Sequence, residues 1–170
     1  MLSKFSNKRF LSGFTIIELM VAMAIAAILL GMALPAFNTF IDQRNMTARG
    51  NDFISAVNLA RSEAVNRGAL VSIQSMAPNN NNEWGGGYCV VVGTPGNCGG
   101  ALRTFEAAGA TTMDATGALN GVPMLTYNGR GLLTLAAAGT VEICGAGINP
   151  GREIDINTVG RASSGEFDCP

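Results

Sequence analysis

The sequence predicts an α+β fold, in which a long N-terminal helix is followed by a region of short β-strands. The helix is predicted from an uncharged apolar run at residues 19–41 and, beyond it, from apolar residues at helical spacing. The β region is predicted from its turn density, because 18 of the 22 glycines lie between Gly85 and Gly165. A chain of 170 residues is long enough for one domain with a real core.

The apolar run is long enough to cross a membrane. It has no charged residue in 23 positions, and about 20 apolar residues span a hydrocarbon core of about 30 Å. Lys4, Lys8 and Arg9 precede the run. Because positive flanks stay cytoplasmic, we expect the rest of the chain to lie outside. A secretory signal peptide fits poorly, since the small residues Ser12 and Gly13 come before the apolar run rather than after it.

One acidic residue, Glu18, stands in the apolar segment four positions after Phe14. A carboxylate in the membrane costs roughly 2.5–3.5 kcal/mol on insertion scales, so such a residue normally has a partner. Two interpretations stay open: the side chain reaches water near the helix end, or it pairs with a positive group from another chain. Cleavage after Gly13 would make Phe14 the N-terminal residue and supply such a group.

The predicted helix continues past Pro35, which removes one hydrogen bond and kinks the chain. Beyond this proline, apolar residues recur on one helical face: Met46, Phe53, Val57, Ala60 and Ala64. Glu63 and Arg67 form a favourable i,i+4 pair, and Gly68 is the expected end of the helix. A helix from Phe14 to Arg67 would be about 80 Å long at 1.5 Å per residue.

The residues around Glu18 resemble the processing site of type IV pilins and type II secretion pseudopilins. The matching run is Gly13-Phe14-Thr15-Ile16-Ile17-Glu18. In that family a prepilin peptidase cuts after the glycine and methylates the new N-terminal residue, which here is Phe14. The resemblance implies that Glu18 contacts the N-terminal amine of a neighbouring subunit during assembly. It also implies that Pro35 is the helix-kinking proline that pilins commonly carry.

A second motif resembles the signature of GspH/FimT-type (FimT/FimU-type) minor pilins. It is Ala60-Arg61-Ser62-Glu63-Ala64-Val65-Asn66-Arg67. The runs Trp84-Gly85-Gly86-Gly87-Tyr88 and Val159-Gly160-Arg161 are similar to the same subfamily. The resemblance implies a pilin/pseudopilin fold, with the helix packed on a small antiparallel β head of two sheets. It divides the chain into a leader peptide (1–13), a transmembrane and filament-core helix (14–41) and a periplasmic head (42–170), which comprises helix 42–67 and β head 70–170.

In the head the sequence predicts short strands between turns. They lie at residues 70–74, 88–92, 122–127, 132–135, 141–144 and 153–157. Residues 107–121 are rich in Ala, Gly and Thr, and form either a surface loop or a weak edge strand. Glu153 and Asp155 alternate with Ile154 and Ile156, so both acids should face solvent.

Four cysteines lie in the predicted external head: Cys89, Cys98, Cys144 and Cys169. In an oxidising compartment they predict two disulfides, with three connectivities open. Proximity in sequence favours Cys89–Cys98. The pair Cys144–Cys169 then follows by elimination, and it resembles the C-terminal disulfide loop of many pilins. A metal site needs closer pairs such as C-x₂-C, which the sequence lacks.

Composition argues against catalysis. The chain has no histidine, which removes Ser-His-Asp and Cys-His mechanisms and His-bound metals. It also has no phosphate-binding loop, so we expect neither an enzyme nor a cofactor. The resemblance implies a minor pilin or pseudopilin that primes assembly at the filament tip. Its partners would be other pilin subunits, prepilin peptidase and the inner membrane, and its final location a pilus or pseudopilus at the cell surface. Type IV pilus and type II secretion subunits share this architecture, so both memberships stay open.

A second function stays open because some FimT-type minor pilins are DNA receptors in natural transformation. Their Gly-Arg-x-Arg motif contacts phosphates, and the matching residues here are Gly160-Arg161-Ala162-Ser163, with Ser163 replacing the second arginine. Arg161 and Arg152 are therefore the candidate DNA contacts. Removing three cationic leader residues from the 11 leaves eight arginines against 12 acids, a net charge of −4, which weighs against DNA as the partner.

Overall fold

A computed structural model describes residues 13–79, 81–135 and 138–170, without the side chains of residues 33–36. Within these residues one helix, α1 (Ile16–Arg67), precedes eight strands. The strands are β1 (Val71–Ser75), β2 (Tyr88–Val92), β3 (Arg103–Phe105), β4 (Thr111–Gly117), β5 (Met124–Tyr127), β6 (Gly139–Gly145), β7 (Ile148–Ile156) and β8 (Ala162–Phe167). The predicted α+β fold is confirmed.

The strands form two antiparallel sheets of four. The first sheet has the order β3-β2-β1-β5, and the second has the order β4-β6-β7-β8. Both sheets belong to the second of two structural units, which runs from Thr39 to Pro170, while the first unit ends at Asn38. We describe the two units separately.

In the second unit, α1 buries one apolar face against both sheets. All members of the predicted stripe are at most 1% exposed: Met46, Phe53, Val57, Ala60 and Ala64. Gly50 lies on the same face, where a Cβ atom would be 3.3 Å from Cδ1 of Ile154 and 3.6 Å from Cδ1 of Ile143. The second sheet therefore approaches the helix so closely that a larger residue at position 50 would displace isoleucine side chains.

An aromatic cluster joins the same helix to the first sheet. The Phe53 ring lies 5.2 Å from both Trp84 and Tyr88, edge to face, and Tyr88 stacks on Phe105 at 4.9 Å. Trp84 is fully buried. The Trp-Gly-Gly-Gly-Tyr run therefore supplies two core aromatics, and it enters strand β2 at Tyr88. Burial is the largest cause that raises the pKa of Tyr88 above its ordinary value, and the nearby carboxylate of Asp52 adds to it.

The structure differs from several strand predictions. Residues 132–135 do not form a strand, since only Leu133 bridges to Tyr127. Residues 107–121 contain β4, which is an edge strand of the second sheet, as one of the two alternatives had it. Strands β3 and β8 have no counterpart among the predicted strands, and β7 begins five residues earlier than expected, at Ile148. Asp155 is exposed as expected, whereas Glu153 is only partly exposed.

A buried acid, Glu83, fixes the position of β4. Its side chain is 1% exposed. The amide of Ala115 donates to Oε2 at 2.9 Å, and the amide of Gly121 donates to Oε1 at 2.8 Å. Burial alone would raise the pKa of this carboxyl, but these amide hydrogen bonds, with one from the Asp114 side chain, hold it below its ordinary value. Glu83 is therefore an ionised carboxylate that bridges β4 to the following turn.

The ionised form of the neighbouring acid, Asp114, is destabilised by this arrangement. Its pKa is raised from 3.8 to about 6, mainly by burial, and further by its hydrogen bond to Glu83 and by the charges of Glu83 and Glu142. The Oδ1 atom of Asp114 is buried without a hydrogen-bond partner. Because the folded state holds this proton more tightly than the unfolded chain does, the Asp114 contribution to stability falls as pH rises from about 4 to 6.

We therefore expect Asp114→Asn to raise Tm by a few degrees at pH 7 and to change it little at pH 4, since about 1 kcal/mol shifts Tm by roughly 2–4 °C at this chain length. An amide can still donate to Glu83 but does not ionise. The measurement is thermal unfolding of the full chain in a nonionic detergent at both pH values. Asp155→Asn removes an exposed charge from the same sheet and controls for net charge. A lower Tm at pH 7, or the same gain at both pH values, would contradict the prediction.

Candidate functional site

The N-terminal motif forms an exposed helix start. Phe14 is 79% exposed, and α1 begins two residues later at Ile16. Thr15 is the N-cap residue, because its Oγ1 accepts a hydrogen bond from the amide of Glu18 at 3.3 Å. Thr15 and Glu18 have the Thr-x-x-Glu spacing of a capping box. This spacing is a signal in the sequence by which Thr15 could have been identified as the N-cap residue. The predicted leader residues 1–12 lie outside the described part of the chain, and Gly13 is exposed.

The apolar half of α1 has no protein covering it in this single chain. Its large side chains are exposed by 42–82%: Ile16, Ile17, Leu19, Met20, Val21, Met23, Ile25, Ile28, Leu29, Leu30, Met32, Phe37, Phe40 and Ile41. An 18-residue window of the helix has a mean hydropathy of 2.5 and no buried residue, so length and composition suffice to cross a membrane. Pro35 lies within α1 as predicted, but its side chain is outside the described part.

Both predicted disulfides are present. Cys89–Cys98 joins β2 to the loop that follows it, with Cα atoms 5.8 Å apart. Cys144–Cys169 joins β6 to the C-terminal tail, with Cα atoms 5.9 Å apart. The second bridge crosses β7 at Gly151, where a Cβ atom would clash with Sγ of Cys169. Only glycine fits beneath this bridge, so the tail is fixed across the face of β7.

A loop at residues 128–135 carries one side of an arginine-rich surface. The guanidinium of Arg61 donates from Nε to the carbonyl of Gly131 at 2.9 Å, which ties the helix to the loop. Arg130 is exposed in this loop. Val65, which is 52% exposed, lies against Gly131. The Arg-Ser-Glu-Ala segment therefore has a structural role through Arg61, and it also brings a cationic group to the surface of the loop.

The turn that carries Arg161 lies against the same loop. The hydroxyl of Tyr127 donates to the carbonyl of Gly160 at 3.0 Å, and a Cβ atom at Gly160 would lie 3.1 Å from Cβ of Leu133. Burial raises the pKa of Tyr127 to about 12, so the phenol keeps its proton and remains a donor. The Arg161 side chain is exposed, and its amide donates to Oδ1 of Asn157 at 2.9 Å. We call Arg61, Arg130 and Arg161 the arginine surface.

The two candidate DNA contacts are not brought together. Arg152 lies in the middle of β7, opposite Glu166 of β8. It lines a cavity of about 210 Å³ with residues of α1, including Gln43 and Thr47. Arg161 follows the far end of β7, which is about 13 Å from Arg152 at 3.3 Å per residue. Sequence reasoning did not link Arg61 and Arg130 to the turn that carries Arg161, because nothing in the local pattern connects these three segments.

The solvent-facing side of the second sheet is acidic. Asp114, Glu142 and Glu153 are register partners on β4, β6 and β7, so three carboxylates form a row across the sheet. Two residues farther along, Asp155 accepts a hydrogen bond from the hydroxyl of Thr140 at 2.9 Å. Like charges directly opposite one another are unfavourable, and the charge of Glu142 adds to the burial that mainly raises the pKa of Asp114. We call Asp114, Glu142 and Glu153 the acid row.

Comparisons with known proteins agree with these features. Residues 49–160 match the family described as type II transport protein GspH, and residues 11–34 match the prokaryotic N-terminal methylation motif. Two crystal structures of the type IV minor pilin FimU from Pseudomonas aeruginosa strain PAO1 have a similar fold. The first, in space group P21, has a TM-score of 0.62 and 25% identity, covering 73% of this chain and 90% of that chain. The second, in space group P65, has a TM-score of 0.60 and 26% identity, covering 70% and 91%.

No curated relative matches the sequence. The GspH match nevertheless covers more than half of the chain, and it includes most of the two-sheet head together with the helix residues that pack on it. The methylation motif lies on the exposed, apolar start of the same helix. The chain therefore belongs to the GspH family of pilin-like proteins.

Proposed function

We propose that this chain is a minor pilin or pseudopilin, processed by prepilin peptidase between Gly13 and Phe14 and incorporated at the tip of a filament, where it primes assembly. The observation that carries the proposal is the uncovered apolar half of α1, headed by the methylation motif. Exposed side chains of this kind need lipid or other apolar helices around them. The family and its fold are structural, so we infer that the chain acts through assembly rather than catalysis.

The proposed route begins in the inner membrane. Lys4, Lys8 and Arg9 would hold the N-terminus in the cytoplasm, and the head would fold in the periplasm. Two disulfides in the head are consistent with an oxidising compartment. From there the subunit would pass into a type IV pilus or a type II secretion pseudopilus, and helices of neighbouring subunits would replace lipid around α1.

Glu18 provides the proposed contact with a neighbouring subunit. Its amide is held by Thr15, so the first turn of α1 is fixed close to the carboxylate. The N-terminal amine of a processed neighbour is a positive group of the right size for a charge-assisted hydrogen bond. In an apolar filament core that contact would be strong, because neither charge has water as an alternative.

Processing predicts a chain without side-chain amines. Lys4 and Lys8 are the only lysines, and both lie in the proposed leader. We therefore expect an amine-reactive dye to label the mature protein once, at Phe14, and intact mass spectrometry to show the loss of residues 1–13 with one added methyl group. Gly13→Val should keep the leader and both lysine labels. A mature chain cut at another position, or one that retains lysine label, would contradict the proposed site.

The assembly role of Glu18 predicts a defect in incorporation rather than in folding. Glu18→Ala should lower the amount of the chain in purified filaments at least about tenfold, because the contact with the neighbouring amine is lost, while its level in the membrane stays unchanged. The measurement is immunoblotting of sheared filaments and membranes. Met20→Ala removes an exposed apolar side chain from the same turn region and is the matched control. Unimpaired incorporation of the Glu18 variant would refute the role.

DNA binding is the second candidate function, and the arginine surface favours it. Among the described residues, the one ion pair joins Arg67 to Glu63 at 2.7 Å, so Arg61, Arg130 and Arg161 have guanidinium groups without an acidic partner. Cations that lack such partners remain available to phosphates. The net charge of −4 on the mature chain opposes this function at long range.

A direct titration tests this candidate. If the chain is a DNA receptor, duplex DNA should bind the full chain in detergent at moderate salt, and Arg161→Ala should weaken binding at least about tenfold, with a smaller salt dependence. Arg152→Ala is the matched control, because Arg152 lies opposite Glu166 and away from the arginine surface. Binding no tighter than that of an acidic control protein would eliminate the receptor function and leave the assembly role intact.

A further inference from the structure

The two sheets have four edges, and three of them are protected. The edge of β4 is covered by residues 82–84, whose contacts include the amide of Trp84 donating to the carbonyl of Met113 at 3.1 Å. The edge of β5 is covered by residues 132–134, where the amide of Thr134 donates to the carbonyl of Thr126 at 2.8 Å. Strand β3 has only three residues. Short or covered edges are the usual protection against pairing with another chain.

The fourth edge, β8, is open. Its pairing with β7 follows one register from Gly151–Phe167 to Ile156–Ala162. The same register continues into the turn, where the amide of Asn157 donates to the carbonyl of Arg161 at 3.0 Å. Because the backbone groups of an antiparallel strand alternate in direction, the odd-numbered residues of β8 face β7. The amides and carbonyls of Ala162, Ser164 and Glu166 therefore face outward, and no other described segment pairs with them.

This open edge is held rigidly although its sequence is a poor strand former. Ala-Ser-Ser-Gly-Glu-Phe has one residue of high β-propensity. The chain is fixed immediately after the strand, since Cys169 is bonded to Cys144 and its amide donates to Oδ1 of Asn149 at 3.2 Å. At the other end, Asn157 Oδ1 accepts the amide of Arg161 at 2.9 Å. A strand anchored at both ends loses little entropy when a further strand pairs with it.

The acid row leads directly to this edge. Glu153 lies opposite Gly165 in the register, and a Cβ atom at Gly165 would be 2.8 Å from Oε1 of Glu153. The carboxylate therefore extends over Gly165 toward the open side of the sheet. A residue docked opposite Gly165 would form a non-hydrogen-bonded pair, in which side chains are closest, and would meet the carboxylate on the solvent side.

The acidic residues near the edge of β8 favour a basic segment of another protein over a second copy of this chain as the docked strand. If a second copy paired antiparallel through its own β8 with the two Ser164 residues opposite each other, Ser163 and then Asp155 of that copy would lie beyond Gly165, so the acidic faces of both copies would adjoin. A segment with a basic side chain opposite Gly165 would instead meet Glu153, with Glu142 next in the row. We propose that β8 is a docking edge for an extended, basic segment of a different protein subunit, which adds to the second sheet as a fifth strand.

This inference deepens the proposed function by naming a contact surface on the head, and it rests on that function only for the setting in which the partner is met. The surface is separate from the helix motif at Glu18, which acts within the apolar filament core. It would let the head select a neighbour by backbone pairing and charge, whereas the helix contacts are available to any processed pilin subunit.

The test uses the full chain in a nonionic detergent and a fluorescent peptide of alternating Thr and Val with one central Arg. We expect this peptide to bind, and a matched peptide with Glu in place of Arg to bind roughly fivefold or more weakly at low salt. Ser164→Pro removes an outward amide without removing a bond to β7, and should abolish binding. Ser164→Ala, which keeps the amide, should bind like the original chain. Glu153→Gln should reduce the preference for Arg.

Amide exchange provides a second measurement that does not depend on the proline variant folding. In the free chain the amides of Ala162, Ser164 and Glu166 should exchange faster than those of Ser163, Gly165 and Phe167, and they should slow when the Arg peptide binds. Absence of peptide binding, equal binding by a folded Ser164→Pro variant, or protection of other amides would overturn the proposal. Concentration-dependent dimers through β8 would identify a second copy as the occupant and also overturn it. None of these outcomes affects incorporation through Glu18.

Discussion

The head depends on how closely α1 approaches the second sheet. Gly50 has no side chain at this contact, so Ile143 of β6 and Ile154 of β7 lie close to the helix backbone. On the same face, Phe53 enters the aromatic cluster and contacts Trp84 and Tyr88, which joins the helix to the first sheet. Because one helix face serves both sheets, small shifts of the helix would disturb both at once.

Much of the fold could be predicted because its signals are local. The uncharged run and the periodic apolar stripe predicted the helix. Short apolar segments between turns predicted β1, β2 and β5. The prediction was wrong for residues 132–135, where an apolar run covers the edge of β5 instead of pairing as a strand. Hydrophobicity marks what is buried, but it does not say whether a segment pairs in a sheet or lies across its edge.

The elements that the sequence did not predict, or left between two alternatives, are held by distant contacts. Strand β8 has few strand-forming residues, and its position follows from pairing with β7 and from the bridge between Cys144 and Cys169. Strand β4 alternates weakly, and Glu83, an acid about thirty residues away in sequence, positions it through the amide of Ala115. A single sequence shows where the cysteines and the glutamate lie along the chain. It does not show which strand each of them will contact, because those contacts depend on the tertiary packing.

Acidic and basic residues of this chain lie on different surfaces, so the net charge of the chain describes neither the acid row nor the arginine surface. The acid row lies on the second sheet, whereas the arginine surface gathers residues from α1, the 128–135 loop and the turn after β7. At physiological salt, exposed charges interact over about 8 Å, so a bound partner responds to the surface it touches rather than to the whole protein. A basic strand at β8 and an anion at the arginine surface are therefore compatible with one another. Local neighbours, more than composition, decide what this head can bind.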